Sequence, residues 1–440
     1  MKKNKICSFI TLGCKVNQYE TDFMTQSLID KGYQVKALSP DTGYVIVNTC
    51  TVTNEADRKS RQQIRKAKKI APAATIIAMG CSVQVRTPDR KQIADYCFGN
   101  GEKSDIVNII KKIETGQALP MIDKAYWLRH DQLDLSLKKT VSKTRQNIMI
   151  QEGCTNACTY CKIYHARGTV SVSKAPERII AEINEIGKKN CKEFILTGIN
   201  LGDFYWEGLT MPGLLKKIDM KVHPDYRIRI SSLNPEDVTN ELCEQLGAKR
   251  FCPHLHLSIQ SGSDSILKKM NRNYTSDRII QAVEKLRAID PLYSISCDMI
   301  VGFPGEDEKD FRASVQLIKE IFPLKTHVFR YSMKKGTPAA GYEQQIDGTI
   351  KKERAYRLDQ VAKSVSHQLR TDHIGKKREI IVEQVGNKQL TGHDPYYLKH
   401  NIIAFKKTYE EGNKIQTKII QIPENSETDE VISTIEDLHE

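Results

Sequence analysis

Residues 147–161 read NIMIQEGCTNACTYC, a short apolar stretch followed at once by three cysteines, Cys154, Cys158 and Cys161, in the spacing Cys-x3-Cys-x2-Cys. An apolar run this short, stopped by Glu152-Gly153, reads as a buried strand, at 147–151. Similar runs recur at 193–197, 226–231, 254–259, 293–301 and 327–331, with helical patterns such as 176–189 and 276–289 between them. Six strand-helix units predict an α/β fold in which parallel strands curve into a partial (β/α)6 barrel. Chemistry in such a barrel belongs at the carboxyl ends of its strands, which is where the three cysteines stand.

Three thiolates on one short loop can hold three irons of a 4Fe-4S cluster, which four cysteines would saturate. The open iron can chelate the amino and carboxyl groups of S-adenosylmethionine (SAM) and pass an electron to its sulfonium, releasing a deoxyadenosyl radical. Tyr160, directly ahead of Cys161, suits this loop. A structural zinc site completed by His165 is the competing reading, and it stays open on sequence alone.

Upstream, apolar runs at 6–12, 44–47 and 75–79 alternate with helical patterns at 18–31 and 55–70, predicting an N-terminal parallel-sheet α/β domain. Each run is followed by a cysteine: Cys14, Cys50 and Cys81. Parallel strands put their carboxyl ends on one edge, so three thiols distant in sequence are expected to converge there as a second 4Fe-4S site. Packing or a redox role is the alternative. Cys7, Cys97, Cys191, Cys243, Cys252 and Cys297 show no such pattern and are expected to be packed thiols.

These patterns divide the chain into an N-terminal domain (1–116), a polar linker (117–143), the barrel with its closing helix (144–373), a small all-β module (374–422) and an acidic mobile tail (423–440). The β module is placed by the turn signals Gly386-Asn387 and Gly412-Asn413.

With 39% apolar and 28% charged residues, the 440-residue chain has ordinary globular composition. It contains no run near the roughly 18–20 apolar residues of a membrane span, so no membrane partner is expected. The opening MKKNKICSFITLGCK imitates a secretory leader, but Cys7, Ser8 and Thr11 interrupt its apolar run. A cytoplasmic location is expected, where thiols stay reduced, and there twelve cysteines point to metal or redox chemistry before disulfides. The formal charge of +13 includes an acidic tail, so the body is more basic still and suits a nucleic-acid partner. Arg58, Lys59, Arg61 and Arg65, with Lys66, Lys68 and Lys69, stud one predicted helix, either as a phosphate contact or as a solvated face. A monomer is the expectation, since no coiled-coil pattern occurs.

The chain resembles the methylthiotransferase family of radical SAM enzymes along most of its length. The resemblance is carried by TLGCKVNQYET (11–21), NTCTVTNEADRKSRQ (48–62), QEGCTNACTYC (151–161), LTGIN (196–200), HLHLSIQSGSD (254–264) and IVGFPGE (300–306). The first two segments are most similar to the branch acting on N6-threonylcarbamoyladenosine beside the tRNA anticodon. The resemblance implies that the cluster on Cys154, Cys158 and Cys161 cleaves SAM, and that the one on Cys14, Cys50 and Cys81 holds the sulfur inserted at C2 of the adenine. It implies tRNA as substrate, a TRAM-like RNA-binding barrel near 377–422, a sulfur source, and an electron donor such as flavodoxin or ferredoxin. Gly198, Ser231, Gln260, Ser261 and Gly302, at strand ends, are the residues expected beside SAM with Tyr160. Two further readings remain: the same chemistry on isopentenyladenosine or a ribosomal-protein aspartate, and a non-catalytic, metal-stabilised RNA-binding protein. The sequence departs from the family pattern at Tyr164 and His165, at Ser171, Val172 and Ser173, and at Arg330, which leaves the cysteines intact and bears on substrate contacts.

Overall fold

The computed structural model describes residues 4–85, 93–120, 122–126, 133–139, 144–189, 191–387, 389–403, 408–423 and 429–435. Parts of the expected linker (121, 127–132, 140–143) and tail (424–428, 436–440) lie outside them.

The N-terminal sheet is built from β1 (Ile6–Thr11), β2 (Gln34–Val35), β3 (Tyr44–Thr49), β4 (Thr75–Gly80) and β5 (Tyr96–Phe98), all parallel, in the order β2-β1-β3-β4-β5. Helices α1 (Lys15–Ile29), α2 (Asn54–Ile70), α3 (Cys81–Gln84) and α4 (Ile106–Thr115) make the connections. Both faces of β3 and β4 are buried, which is why these strands read as continuous apolar runs. Strands β2 and β5 escape sequence reading because they are only two and three residues long.

The barrel strands are β6 (Arg145–Met149), β9 (Glu193–Thr197), β12 (Arg227–Ile230), β13 (His254–Gln260), β14 (Ser294–Val301) and β15 (Lys325–Arg330). Short paired strands β7 (Gln151–Glu152) with β8 (Val172–Ser173), and β10 (Tyr205–Trp206) with β11 (Leu209–Thr210), lie in the loops. The helices are α5 (Ile163–Arg167), α6 (Pro176–Gly187), α7 (Met211–Lys221), α8 (Asn240–Leu246), α9 (Asp264–Lys269), α10 (Ser276–Ile289), α11 (Glu308–Ile321) and α12 (Gly348–Thr371). Strands β6, β9 and β12 form one parallel sheet and β13, β14 and β15 another, joined among the described residues by the bridges Ile228 to Phe251 and Leu233 to Leu257. The barrel is therefore open between its first and last strands.

Two sequence expectations need correction. The tail is not mobile throughout: β20 (Glu430–Ile435) completes a closed barrel with β16 (Lys377–Val385), β17 (Gln389–His393), β18 (Lys399–Ile403) and β19 (Lys414–Gln421), in the order β16-β17-β18-β20-β19. Val431 and Ser433 point inward and are buried, so closure removes an open strand edge and overrides the acidic composition. The polar stretch after Gly116 is also more than a tether, because Leu133 and Leu137 are buried in the main core and the Tyr19 hydroxyl donates to the Leu135 carbonyl at 2.9 Å.

A buried carboxylate locks the C-terminal barrel onto the larger one. Glu193 is fully buried between Arg227 and Arg229, with Arg229 Nε 2.8 Å from Glu193 Oε1. The same guanidiniums donate to the carbonyls of His393 at 2.8 Å, Pro395 at 2.9 Å and Asp394 at 3.1 Å. Burial pushes the Glu193 carboxyl up, but the two arginines outweigh it and hold it well below the usual carboxylate range. The variant Glu193→Ala strands two buried cations, an expected loss of about 3–5 kcal/mol. Calorimetry should record a clearly lower unfolding midpoint, and one within about 1 °C of the parent would contradict this account.

Candidate active site

Both cysteine trios sit where parallel strands leave their sheets. Cys14 caps α1 after β1, Cys50 follows β3, and Cys81 opens α3 directly after β4. Two glycines make the turns possible. Gly13, at φ +106°, has no room for a Cβ, which would lie 2.9 Å from Cys50 Cβ and 3.0 Å from its Sγ. At Gly80, φ +102°, a Cβ would lie 2.7 Å from Asn48 Oδ1. The Asn17 amide pins the strand ends from above, donating to the carbonyls of Leu12 at 2.7 Å and Thr49 at 3.0 Å.

The loop from Cys154 to Cys161 borders a cavity of about 320 Å³ at the carboxyl end of the barrel. Tyr160 and Gln260 line it with the three cysteines. So do Val52 and Thr53 of the N-terminal domain, two and three residues after Cys50, so the cavity wall is shared between domains. Docking of that wall rests on Asn54, whose amide donates to the Met333 carbonyl at 3.0 Å, and on Lys334 beside Asp57 at 2.7 Å. The remaining expected SAM neighbours are placed differently. Ser231 is buried, and its Oγ has no partner among the described residues. Gly198 packs against Gln151, Ser261 lies within 3.4 Å of the Ser314 hydroxyl, and the Gly302 amide donates to Glu306 Oε1 at 2.9 Å. These three shape strand-end turns without lining the cavity. Of the positions that depart from the family pattern, Tyr164 and Arg330 line it. Ser171 is held in the loop scaffold by Gln151 and the Asp203 carbonyl, both at 2.9 Å.

All twelve cysteines are free. A single zinc ion would gather thiolates to about 3.8 Å from one another, given a Zn–S bond of about 2.3 Å. Among the described residues, the one group whose ligand atoms all lie within 4.8 Å of one another contains no cysteine. Neither trio therefore has all three of its sulfurs within that distance of one another. Charged and backbone donors reach three of these sulfurs. Arg272 donates to Cys158 Sγ at 3.3 Å, Arg167 to Cys81 Sγ at 3.2 Å, and the backbone amide of Ile163 to Cys161 Sγ at 3.3 Å. Without a metal, burial pushes the thiols up, Cys154 to about 12 and both Cys50 and Cys161 to about 11.

Sequence reading missed Arg167, Arg272 and the polar lumen of the barrel. In that lumen His256, Asp298 and His327, on neighbouring strands, form the group within 4.8 Å, with His256 Nε2 at 3.2 Å from Asp298. Asp298 also lines the cavity above. Lys15, at the start of α1, has its ammonium lowered by desolvation and further by Arg229 and Arg145, with Cys14 and Asp298 opposing them. The period-two spacing of His254 and His256 in HLHLS was the available signal for an inward-facing polar row.

On the outside, all seven basic side chains of α2 are exposed. Arg58 is paired with Glu55 at 2.5 Å and Lys68 with Asp95 at 3.1 Å. The helix starts at Asn54, beside the cavity mouth, so its basic face extends outward from that mouth.

Comparison with known proteins agrees with this architecture. Residues 148–318 match the radical SAM superfamily, and residues 6–99 match a family described as uncharacterized protein family UPF0004. The threonylcarbamoyladenosine tRNA methylthiotransferase MtaB of Thermotoga maritima is 39% identical over 400 residues, covering 90% of each chain. Its Bacillus subtilis counterpart is 35% identical, covering 94% of this chain and 93% of that one. A tRNA-2-methylthio-N(6)-dimethylallyladenosine synthase of Desulfitobacterium hafniense is 32% identical over 85% of each. Among solved structures, the radical SAM methyltransferase TsrM of Kitasatospora setae shares the fold with a TM-score of 0.57 at 15% identity, covering 74% of this chain and 73% of that one. The chain therefore belongs to the methylthiotransferase family of radical SAM enzymes, in the branch of the threonylcarbamoyladenosine tRNA methylthiotransferases.

Proposed function

We propose that this protein inserts a methylthio group at C2 of N6-threonylcarbamoyladenosine in tRNA. The observation that carries the reading is the shared cavity, whose walls join the loop of Cys154, Cys158 and Cys161 to the strand-end loop that follows Cys50. A base seated there lies between the two cysteine trios. Cys154, Cys158 and Cys161 would hold the SAM-coordinating 4Fe-4S cluster, and Cys14, Cys50 and Cys81 the second. When bound, these clusters and SAM supply the radical chemistry and the sulfur that is transferred.

The protein's own part is to bind, orient and shield. Arg272 is anchored by Asn234 at 2.6 Å and by the Ser258 carbonyl at 3.1 Å, so it presents one fixed donor to Cys158. Gln260 lines the cavity from a backbone held at φ +72°. The threonylcarbamoyl group carries a carboxylate, a hydroxyl and two N–H groups, whereas an isopentenyl group is wholly apolar. A lumen holding His256, Asp298 and His327 suits the polar substituent and leaves such groups unpaired against the apolar one. This favours the threonylcarbamoyl substrate over the isopentenyl alternative. The basic face of α2 and the C-terminal β-barrel supply the tRNA contacts in this reading. Among the described residues no helix is long and apolar enough to cross a membrane. A cytoplasmic monomer, a low-potential electron donor such as flavodoxin or ferredoxin, and a separate sulfur source complete the reading.

Anaerobically reconstituted protein given SAM and a reductant is expected to methylthiolate tRNA bearing threonylcarbamoyladenosine, read by mass spectrometry of the nucleosides. Turnover only on isopentenyladenosine would overturn the substrate assignment. Reconstitution should load about eight irons, and changing Cys154, Cys158 and Cys161 together to Ala should leave about four; a fall from about four to none would remove the second cluster. Reversing charge at Arg61 and Arg65 to Glu should weaken tRNA binding by tenfold or more and flatten its salt dependence by about two phosphate contacts. An unchanged salt slope would make that helix face merely solvated.

A further inference from the structure

Arg167 ends α5, six residues after Cys161, yet its side chain is buried in the N-terminal domain with none of its surface exposed. Every nitrogen of the guanidinium is engaged. Nε donates to Cys81 Sγ at 3.2 Å. Nη2 donates to Asn17 Oδ1 at 2.7 Å and Glu20 Oε2 at 2.9 Å, and Nη1 to Glu152 Oε1 at 2.9 Å and to Glu20 Oε1. Glu20 is itself paired with the buried Lys103 at 2.5 Å. The neighbouring backbone follows the side chain, since the Asn100 amide donates to the Ala166 carbonyl at 2.8 Å. With Glu20, Glu152 and Asn17 fixing the fork, Nε can point only at Cys81. Two carboxylates balance Arg167 and Lys103, so a thiolate at Cys81 meets a fixed charged donor in a dry site, where such a bond is stronger than in water.

Hydrogen bonds and charge around the sulfurs set the potential of an iron–sulfur cluster. We propose that Arg167 is the positioning residue of the N-terminal cluster: its charged hydrogen bond to Cys81 stabilises the reduced cluster, and the loop that carries the SAM-binding cysteines thereby sets the electron affinity of the other centre. The inference rests on the reading of Cys14, Cys50 and Cys81 as cluster ligands. Arg272, which serves Cys158, comes from the same domain as its thiol, whereas Arg167 crosses between domains, so the bond to Cys81 exists only when the two are docked.

The test uses full-length protein with Cys154, Cys158 and Cys161 changed to Ala, in which only the N-terminal cluster remains, and a redox titration followed by electron paramagnetic resonance. At a fixed poise, Arg167→Met is expected to lower the ratio of reduced to oxidised cluster at least tenfold, equal to 59 mV for a one-electron couple. Glu152→Gln keeps Arg167 and Glu20 in place but removes one counter-charge, and it should raise that ratio threefold or more. A protein with Arg167→Met that holds about four irons at an unmoved potential overturns the proposal. If that variant does not take up iron, an unmoved potential in Glu152→Gln overturns it instead. A parent that binds no iron overturns the cluster reading itself, an outcome distinct from both.

Discussion

A parallel strand cannot turn straight back into its neighbour; the chain must return through a crossover, so every strand leaves the sheet at the same edge. Both α/β units of this protein are built under that constraint, and the active site depends on it. The N-terminal sheet brings Cys14, Cys50 and Cys81 to one edge from positions up to 67 residues apart. The barrel places Cys154, Cys158 and Cys161 at the end of its first strand. Setting the two edges face to face leaves a cavity between them with walls from both units.

Apolar packing of Val16 and Tyr19 into the barrel core joins the two units, and polar groups hold the edges that carry the cysteines. Arg167, Glu20, Lys103 and Glu152 form the buried group that does so. Burial alone would raise the Glu20 carboxyl; Arg167 and Lys103 outweigh it and hold it at about 2. The carboxylate therefore contributes stability that is full above its ordinary value of 4.5 and is lost progressively as pH falls from there through about 2. Glu193 does the equivalent work at the other end of the barrel, where it orients the two arginines that grasp the C-terminal β-barrel by its backbone carbonyls. At both joints specificity comes from charges that cannot be left unpaired in a dry environment.

The polarity of the lumen follows from the same division of labour. A closed eight-stranded barrel fills its interior with branched apolar side chains. Here six strands leave the wall open, and the inward positions of β13, β14 and β15 carry His256, Asp298 and His327. An interior of this kind can receive a polar substrate group without stranding it, and the apolar packing is moved outside the strands, onto α6, α7, α10 and α11.

Local pattern sufficed for the elements with strong periodicity. The six barrel strands, the three main N-terminal strands and both cysteine trios were legible in sequence, because apolar runs, helical repeats and the position of a cysteine after a run are properties of neighbouring residues. The two-residue strand β2 was too short to carry a period. Strand β20 lay in an acidic stretch whose burial depends on closing a barrel with residues 11 to 31 positions earlier. The roles of Arg167, Arg272 and Glu193 were likewise invisible, since a buried charge looks in sequence like any surface charge until the fold removes its water and supplies its partner. The sequence by itself determined the longer periodic elements and which thiols follow the ends of parallel strands. Only the tertiary structure decided which charges are buried against those thiols and what the lumen can accept, because both are set by contacts between segments that local physics leaves independent.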